Sequence, residues 1–285
     1  MATPGLSLVG FLDQANAINH LRSGCRTKDP SDAALIAEWQ AAQAKLGDPT
    51  PRAGHPDIQE IPLEGMPHVQ TLIAQSGGVL PPGLSMQMVE IDPLLAFQVT
   101  VDGDHSGNRC AELSNPPTLE EMLPLALPLT QEPERYETYL GEHSMMLKAR
   151  SLNVRAGPGG HFRVKVLIEE RGEVVPAEFI GMQPGFGGPH AHVVRFNGRC
   201  YLHNGYHRCF GIRRAGGTHV PCLFRDVGSS AEVGINPGTF QIQLLESANP
   251  PTFAHFTSGR AWDVELREFW RFISVSWSEF AIPID

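Results

Sequence analysis

The sequence lacks the features by which several protein classes are recognised. No run approaches the ~18 apolar residues of a membrane-crossing helix; the nearest, Leu123 to Leu129, is broken by prolines. Charge is scarce as well: 19% of residues are charged, and the 22 Lys and Arg are outnumbered by 31 Asp and Glu, giving a net charge of −9. A long electropositive face for a phosphodiester backbone is thereby disfavoured, although local basic patches remain compatible. The five cysteines (Cys25, Cys110, Cys200, Cys209, Cys222) contain no Cys-x-x-Cys pair. Neither a structural zinc site nor a disulfide framework is indicated, and free thiols in a reducing compartment are expected. The apolar stretch from Leu6 to Leu12 has no basic segment before it and runs into Asp13, so no secretory signal is read and the expected location is cytoplasmic. A Gly-x-Ser-x-Gly elbow is missing, which removes support for a serine hydrolase. The segments Gly157-Pro158-Gly159-Gly160 and Gly185-Phe186-Gly187-Gly188-Pro189 lack the Lys-Ser/Thr of a phosphate-binding loop and read as ordinary turns.

Punctuation is what the chain has in plenty. Its 29 glycines and 24 prolines in 285 residues are about 19% against a typical ~12%, which excludes a coiled coil or a long helical array. Residues 10 to 24 carry Phe11, Ala15, Ile18 and Leu21 at helical spacing and stop at Gly24; Pro30-Ser31-Asp32 opens a second helix with Ala34, Leu35, Trp39, Ala42 and Leu46. Residues 1–47 are therefore expected as an N-terminal helical hairpin. Seven prolines between 48 and 84 leave room for one short helix near His68 to Ala74, and the segment reads as a linker.

From Ser85 onward strand signals dominate. Met145–Ala149, Phe162–Glu169, Val174–Ile180, His192–Phe196 and Arg199–His203 are strand candidates, and Asn197-Gly198 between the last two is a tight hairpin signal. Thr118-Leu119-Glu120-Glu121 reads as a capped helix start. A helix from Gly205 to Ala215 and a strand from Val220 to Phe224 follow. The tail to Asp285 holds three of the four tryptophans, and its group Trp262, Phe269, Trp270, Phe272 and Trp277 is expected to pack in a core.

The stretch Asn204-Gly205-Tyr206-His207-Arg208 carries the candidate chemistry. Here a strand ends and a helix begins, and a glycine without Cβ lets a ligand approach the first unbonded helical N–H groups. Those donors and the helix dipole favour an anion, and His207 and Arg208 add two cationic or donor groups in the first turn. On a helical wheel Cys209, Ile212 and Gly216 share the inward face, Arg208 lies at its edge, and His207 and Arg214 point away. His190, His192, His203 and His207 form a conceivable imidazole cluster if the chain brings them together, but no metal site is assigned.

The turn, its strand and helix, and the following Thr218-His219-Val220-Pro221 resemble the signature of the ParB and sulfiredoxin superfamily, in which Asp/Gly-Gly-x-His-Arg precedes a helix and a Val-Pro strand. Val89 to Gln98 resembles that fold's first strand and following polar segment, so the resemblance spans about 86–226 with an insertion. It implies nucleotide binding through the turn, with members that hydrolyse or transfer phosphate, cut nucleic acid, or regulate. Tyr206 replaces the cysteine that sulfiredoxin chemistry needs, and Asn204 stands where many members carry Asp, so binding is better supported than catalysis.

The expectation is an α+β protein: hairpin 1–47, Pro-rich linker 48–84, ParB/sulfiredoxin-like mixed α/β domain 85–227 with an insertion, and packed β-rich C-terminal extension 228–285. Asn204, Gly205, Tyr206, His207 and Arg208 are the expected ligand residues, with His207 and Arg208 the candidate catalytic pair. The expected cofactor is a nucleotide, with Mg2+ as an optional companion. The expected partner is a small phosphate ligand, with no membrane, nucleic acid disfavoured, and a protein partner left open. The alternative is a non-catalytic regulatory or interaction scaffold that retains the fold.

Overall fold

A computed structural model describes residues 3–24, 30–62, 64–103, 110–129, 136–149, 154–168, 173–186, 190–234, 240–267 and 270–278. Cys25, residues 104–109, Glu169, Gly187 to Pro189 and Phe269 lie outside them. The protein is α+β, as expected, and divides into two compact units: residues 1–131 with 189–267, and residues 132–188 with 268–285.

The first unit begins with β1 (Thr3–Ser7), a 3₁₀ turn at Val9–Phe11, α1 (Gln14–Gly24) and α2 (Asp32–Lys45). The first helix starts later than its apolar spacing predicts because the Asp13 carboxylate accepts the backbone N–H of Asn16 at 3.0 Å, a capping contact that marks the helix start. Ser31 caps α2 through Ala34 N–H. These elements are not a separate domain. β1 pairs with β4 (Thr100–Asp102) and β12 (Trp262–Leu266) in a three-stranded antiparallel sheet, and Leu8, Leu21 and Leu35 share one buried cluster with Val89, Tyr201 and Phe253.

The 48–84 segment is likewise built into the fold, contrary to the linker reading. β2 (Ile58–Glu60) pairs with β3 (Leu84–Glu90). Pro67 takes the first turn of α3 (Pro67–Gln75), where its missing N–H costs nothing. Val69 and Leu72 of α3 pack with Met86, and with Leu123 of α4 (Leu119–Ala126). The prolines punctuate short packed elements. α4 itself opens with the expected cap, Thr118 and Glu121 each serving the other's backbone N–H.

A five-stranded sheet in the order β10-β9-β11-β3-β2 centres this unit. β9 (His192–Phe196) and β10 (Arg199–Asn204) form the predicted hairpin, with Asn197 and Gly198 both at positive φ. The chain then crosses through α5 (Tyr206–Arg214) to β11 (His219–Asp226), which lies parallel to β9 and antiparallel to β3. Short helices α6 (Ser230–Val233), α7 (Ile242–Leu245) and α8 (Ala254–Thr257) complete it.

The second unit is β-rich. β5 (Tyr136–Gly141), β6 (Ser144–Ala149) and β13 (Arg271–Ser276) form a sheet in the order β13-β6-β5, and β7 (Val154–Ile168) pairs with β8 (Glu173–Phe186). Gly157 to Gly160 was expected as a turn but lies inside β7, where the register shifts between Ala156 and Gly159; a β-bulge absorbs the glycines. The expected C-terminal extension is split, since β12 belongs to the first unit and β13 to the second.

Candidate functional site

The Asn204–Arg208 turn sits where β10, after a register shift between Leu202 and Asn204, hands over to α5. Gly205 has φ 104, a left-handed conformation that L side chains rarely adopt. A Cβ at this position would lie 3.0 Å from both Cα and Cβ of Ala191. Ala191 is itself pinned, donating to Ala126 O at 2.7 Å and accepting from Leu223 N–H at 2.9 Å. The close approach that demands glycine is thus made by the chain's own backbone, in the space where a ligand was expected.

The neighbouring side chains are committed in the same way. Asn204 Nδ2 donates to His190 O at 3.0 Å. Tyr206 is 3% exposed, and its hydroxyl accepts the backbone N–H groups of Phe97 (2.9 Å) and Gln98 (3.3 Å). Its ring meets Phe97, Phe253 and Phe256, and burial pushes its hydroxyl pKa well up. His207, placed away from the core by the wheel, is half-buried because α5 packs against β4; its Nε2 accepts Asp102 N–H at 3.2 Å, which leaves the neutral ring's proton on Nδ1. Arg208 is half-buried beside it. Cys209 and Ile212 are buried as the wheel requires, but so are Phe210 and Gly211, so α5 is enclosed on more than one face.

Three of the four candidate histidines gather nearby. The His192 and His203 rings lie 5.0 Å apart, edge to face. Burial above all, then the neighbouring His203 and Arg225, lowers the His192 pKa to about 4. His203 Nδ1 donates to Val233 O at 2.8 Å and His190 Nε2 to Pro128 O at 3.1 Å. Ring nitrogens of His203 and His190 thus serve backbone carbonyls, and among the described residues no group of three or more His, Cys, Asp or Glu could hold a metal.

The thiols of Cys200, Cys209 and Cys222 are free and buried, and Cys110 is buried as well. Burial pushes Cys200 and Cys209 to about 12, which removes the thiolate that redox chemistry would use.

Two features escaped the sequence. At the far end of α5, Arg213 forms a two-pronged pair with Asp92, 3.0 Å at each contact. Asp92 also lines a cleft of about 350 Å³ with Thr50, Arg52, Glu90, Ser258 and Arg260. These residues come from distant segments with no common spacing, so no motif announces them. The second feature is aromatic: Trp270, Phe272 and Trp277 are 43%, 55% and 44% exposed, as are Tyr139 (45%) and Leu140 (77%) on β5. Among the described residues of that group the expected core contact holds only for Trp262, which is half-buried against the main cluster and donates through Nε1 to Glu38 at 2.7 Å.

In comparisons with protein-family models, curated proteins and solved structures, nothing matches this chain. Among the described residues no helix is long and apolar enough to cross a membrane.

Proposed function

We propose that the chain is a non-catalytic interaction or regulatory protein that keeps a ParB/sulfiredoxin-like core as its scaffold. The succession of β10, Gly205, α5 and the Val220-Pro221 strand, with β3 antiparallel to β11, supports the scaffold half of this reading. The observation that carries the other half is the filled space over Gly205, where Ala191 stands at 3.0 Å from any Cβ. A phosphate that approached on the side of the absent Cβ would meet Ala191, which supports the non-binding reading. Exposed aromatic surface on the second unit supplies what an interaction protein presents instead.

The competing reading places a nucleotide, with or without Mg2+, against His207 and Arg208, the half-buried pair at the start of α5. A thermal-shift screen of nucleoside mono-, di- and triphosphates, with and without Mg2+, separates the two. A ligand at 100 times its Kd stabilises a protein by ~2.7 kcal/mol, several degrees for a domain of this size. The scaffold reading expects no shift across the panel. A reproducible rise with any nucleotide overturns it.

A further inference from the structure

Among the described residues the second unit carries an edge strand with little of the usual protection. β5 lies at the outside of the order β13-β6-β5, and among the described residues no strand pairs its outer side. All six of its residues are exposed. Proteins blunt such edges with Pro, Lys, a bulge or a covering segment, because the free N–H and C=O groups template further pairing. Tyr-Glu-Thr-Tyr-Leu-Gly has no Pro and no basic residue, and its register with β6 is unbroken from Tyr136↔Ala149 to Gly141↔Ser144.

The direction of the free groups follows from the hairpin. With only Glu142 and His143 between Gly141 and Ser144, the closing pair exchanges both hydrogen bonds. Alternation then turns the N–H and C=O of Tyr136, Thr138 and Leu140 away from β6. We propose that this edge is a homodimer interface, in which two copies of the chain pair β5 antiparallel about a two-fold axis through Thr138.

The sequence of the edge selects that occupant. A two-fold axis perpendicular to the sheet keeps each face on its own side, so directly opposed residues must share parity. Centring on Thr138 opposes Tyr136 to the partner's Leu140, Thr138 to itself, and Glu137 to the partner's Tyr139. All three outward-facing residues of each copy then bond, giving about six backbone hydrogen bonds, whereas centring on Tyr139 gives about four. Apolar meets apolar, since Tyr136 is 42% and Leu140 77% exposed. The phenol hydroxyl meets a carboxylate, the pairing that Tyr139 already makes with its own Glu137.

The exposed parts of Tyr136, Tyr139 and Leu140 are roughly 100 Å² each, so two edges bury about 800 Å² with their backbone. That falls below the ~1,200 Å² of a stable complex and gives a weak, concentration-dependent dimer. The inference rests on the second unit alone and is independent of how the Asn204–Arg208 turn is read.

Sedimentation equilibrium of the full chain from about 5 to about 500 μM, a range set by the small interface, tests it. The expected result is one-chain mass at the dilute end, rising toward twice that mass. Leu140→Lys, at the most exposed position of the edge, should hold the chain monomeric throughout, while Phe272→Ser on the opposite edge strand should leave the rise intact. Thr138→Cys gives a readout that does not depend on a disruptive change. Its Cα atoms, about 5.5 Å apart in a bonded pair, lie within disulfide reach, so mild oxidation should cross-link it far faster than Glu142→Cys. One-chain mass at every concentration, a dimer that survives Leu140→Lys, or equal cross-linking of the two cysteine variants overturns the proposal.

Discussion

Tyr206 and Tyr139 show how differently the two units use the same side chain. Tyr206, in the first unit, is 3% exposed, and its hydroxyl holds two backbone N–H groups of the Phe97–Gln98 segment. Tyr139, in the second, is 45% exposed and reaches its near neighbour Glu137. Phe240, Phe253 and Phe256 share the enclosed state, whereas Trp270, Phe272 and Trp277 share the displayed one. In the first unit aromatics and even the motif's own tyrosine stabilise the fold; in the second they stand exposed at the surface.

Single substitutions sharpen that contrast. Tyr206→Ala should be the most damaging, by roughly 4 kcal/mol, since a large ring is lost from a packed site and two half-buried N–H groups lose their acceptor. Tyr139→Ala should stay within about 0.5 kcal/mol, as exposed substitutions do. Urea denaturation followed by circular dichroism measures both. Equal effects would erase the distinction between the units.

Acid should strike the first unit next. His255 is fully buried, and its pKa is lowered from 6.5 to about 4, chiefly by burial. Below pH 6.5 the unfolded chain takes up a proton that the folded chain refuses, so stability falls as pH drops from about 6.5 to about 4. The loss from this group should be about 3 kcal/mol, and His192, shifted the same way, adds to it. Denaturant midpoints measured from pH 8 to 4 would contradict this by staying level.

Gly205→Ala should cost roughly 1–3 kcal/mol, because φ 104 and the Ala191 backbone both oppose a Cβ. The loss should be the same with or without nucleotide. Arg213→Gln should cost about 1 kcal/mol or less, since both partners of its pair with Asp92 are about a third exposed. The smallest change belongs to Phe272→Ser, within about 0.5 kcal/mol by the same denaturation curves.

Local signals in the sequence were legible where short-range chemistry decides. Asn197-Gly198, the Thr118–Glu121 cap and the glycines bounding α5 are each read by neighbours a few residues away, and the structure has them in place. Domain boundaries were less legible, because a proline-rich stretch looks the same in a tether and between packed elements; only the pairing of β2 with β3 tells them apart. The turn shows the deeper difficulty. A glycine before a helix is required equally by an approaching phosphate and by an approaching Ala191, and that residue comes from a segment 14 positions upstream of Gly205. The tail aromatics were misplaced for a related reason: alternation in β13 reveals a strand, but which faces are covered depends on what packs there.

The most direct test of the account is the amide spectrum of the ¹⁵N-labelled chain, titrated with millimolar Mg2+–ATP. The resonances of Gly205, Tyr206, His207 and Arg208 report on the helix start where a phosphate would dock. A turn closed by Ala191 predicts that all four stay in place throughout. A saturable shift confined to these amides would contradict it and restore the turn as a phosphate site.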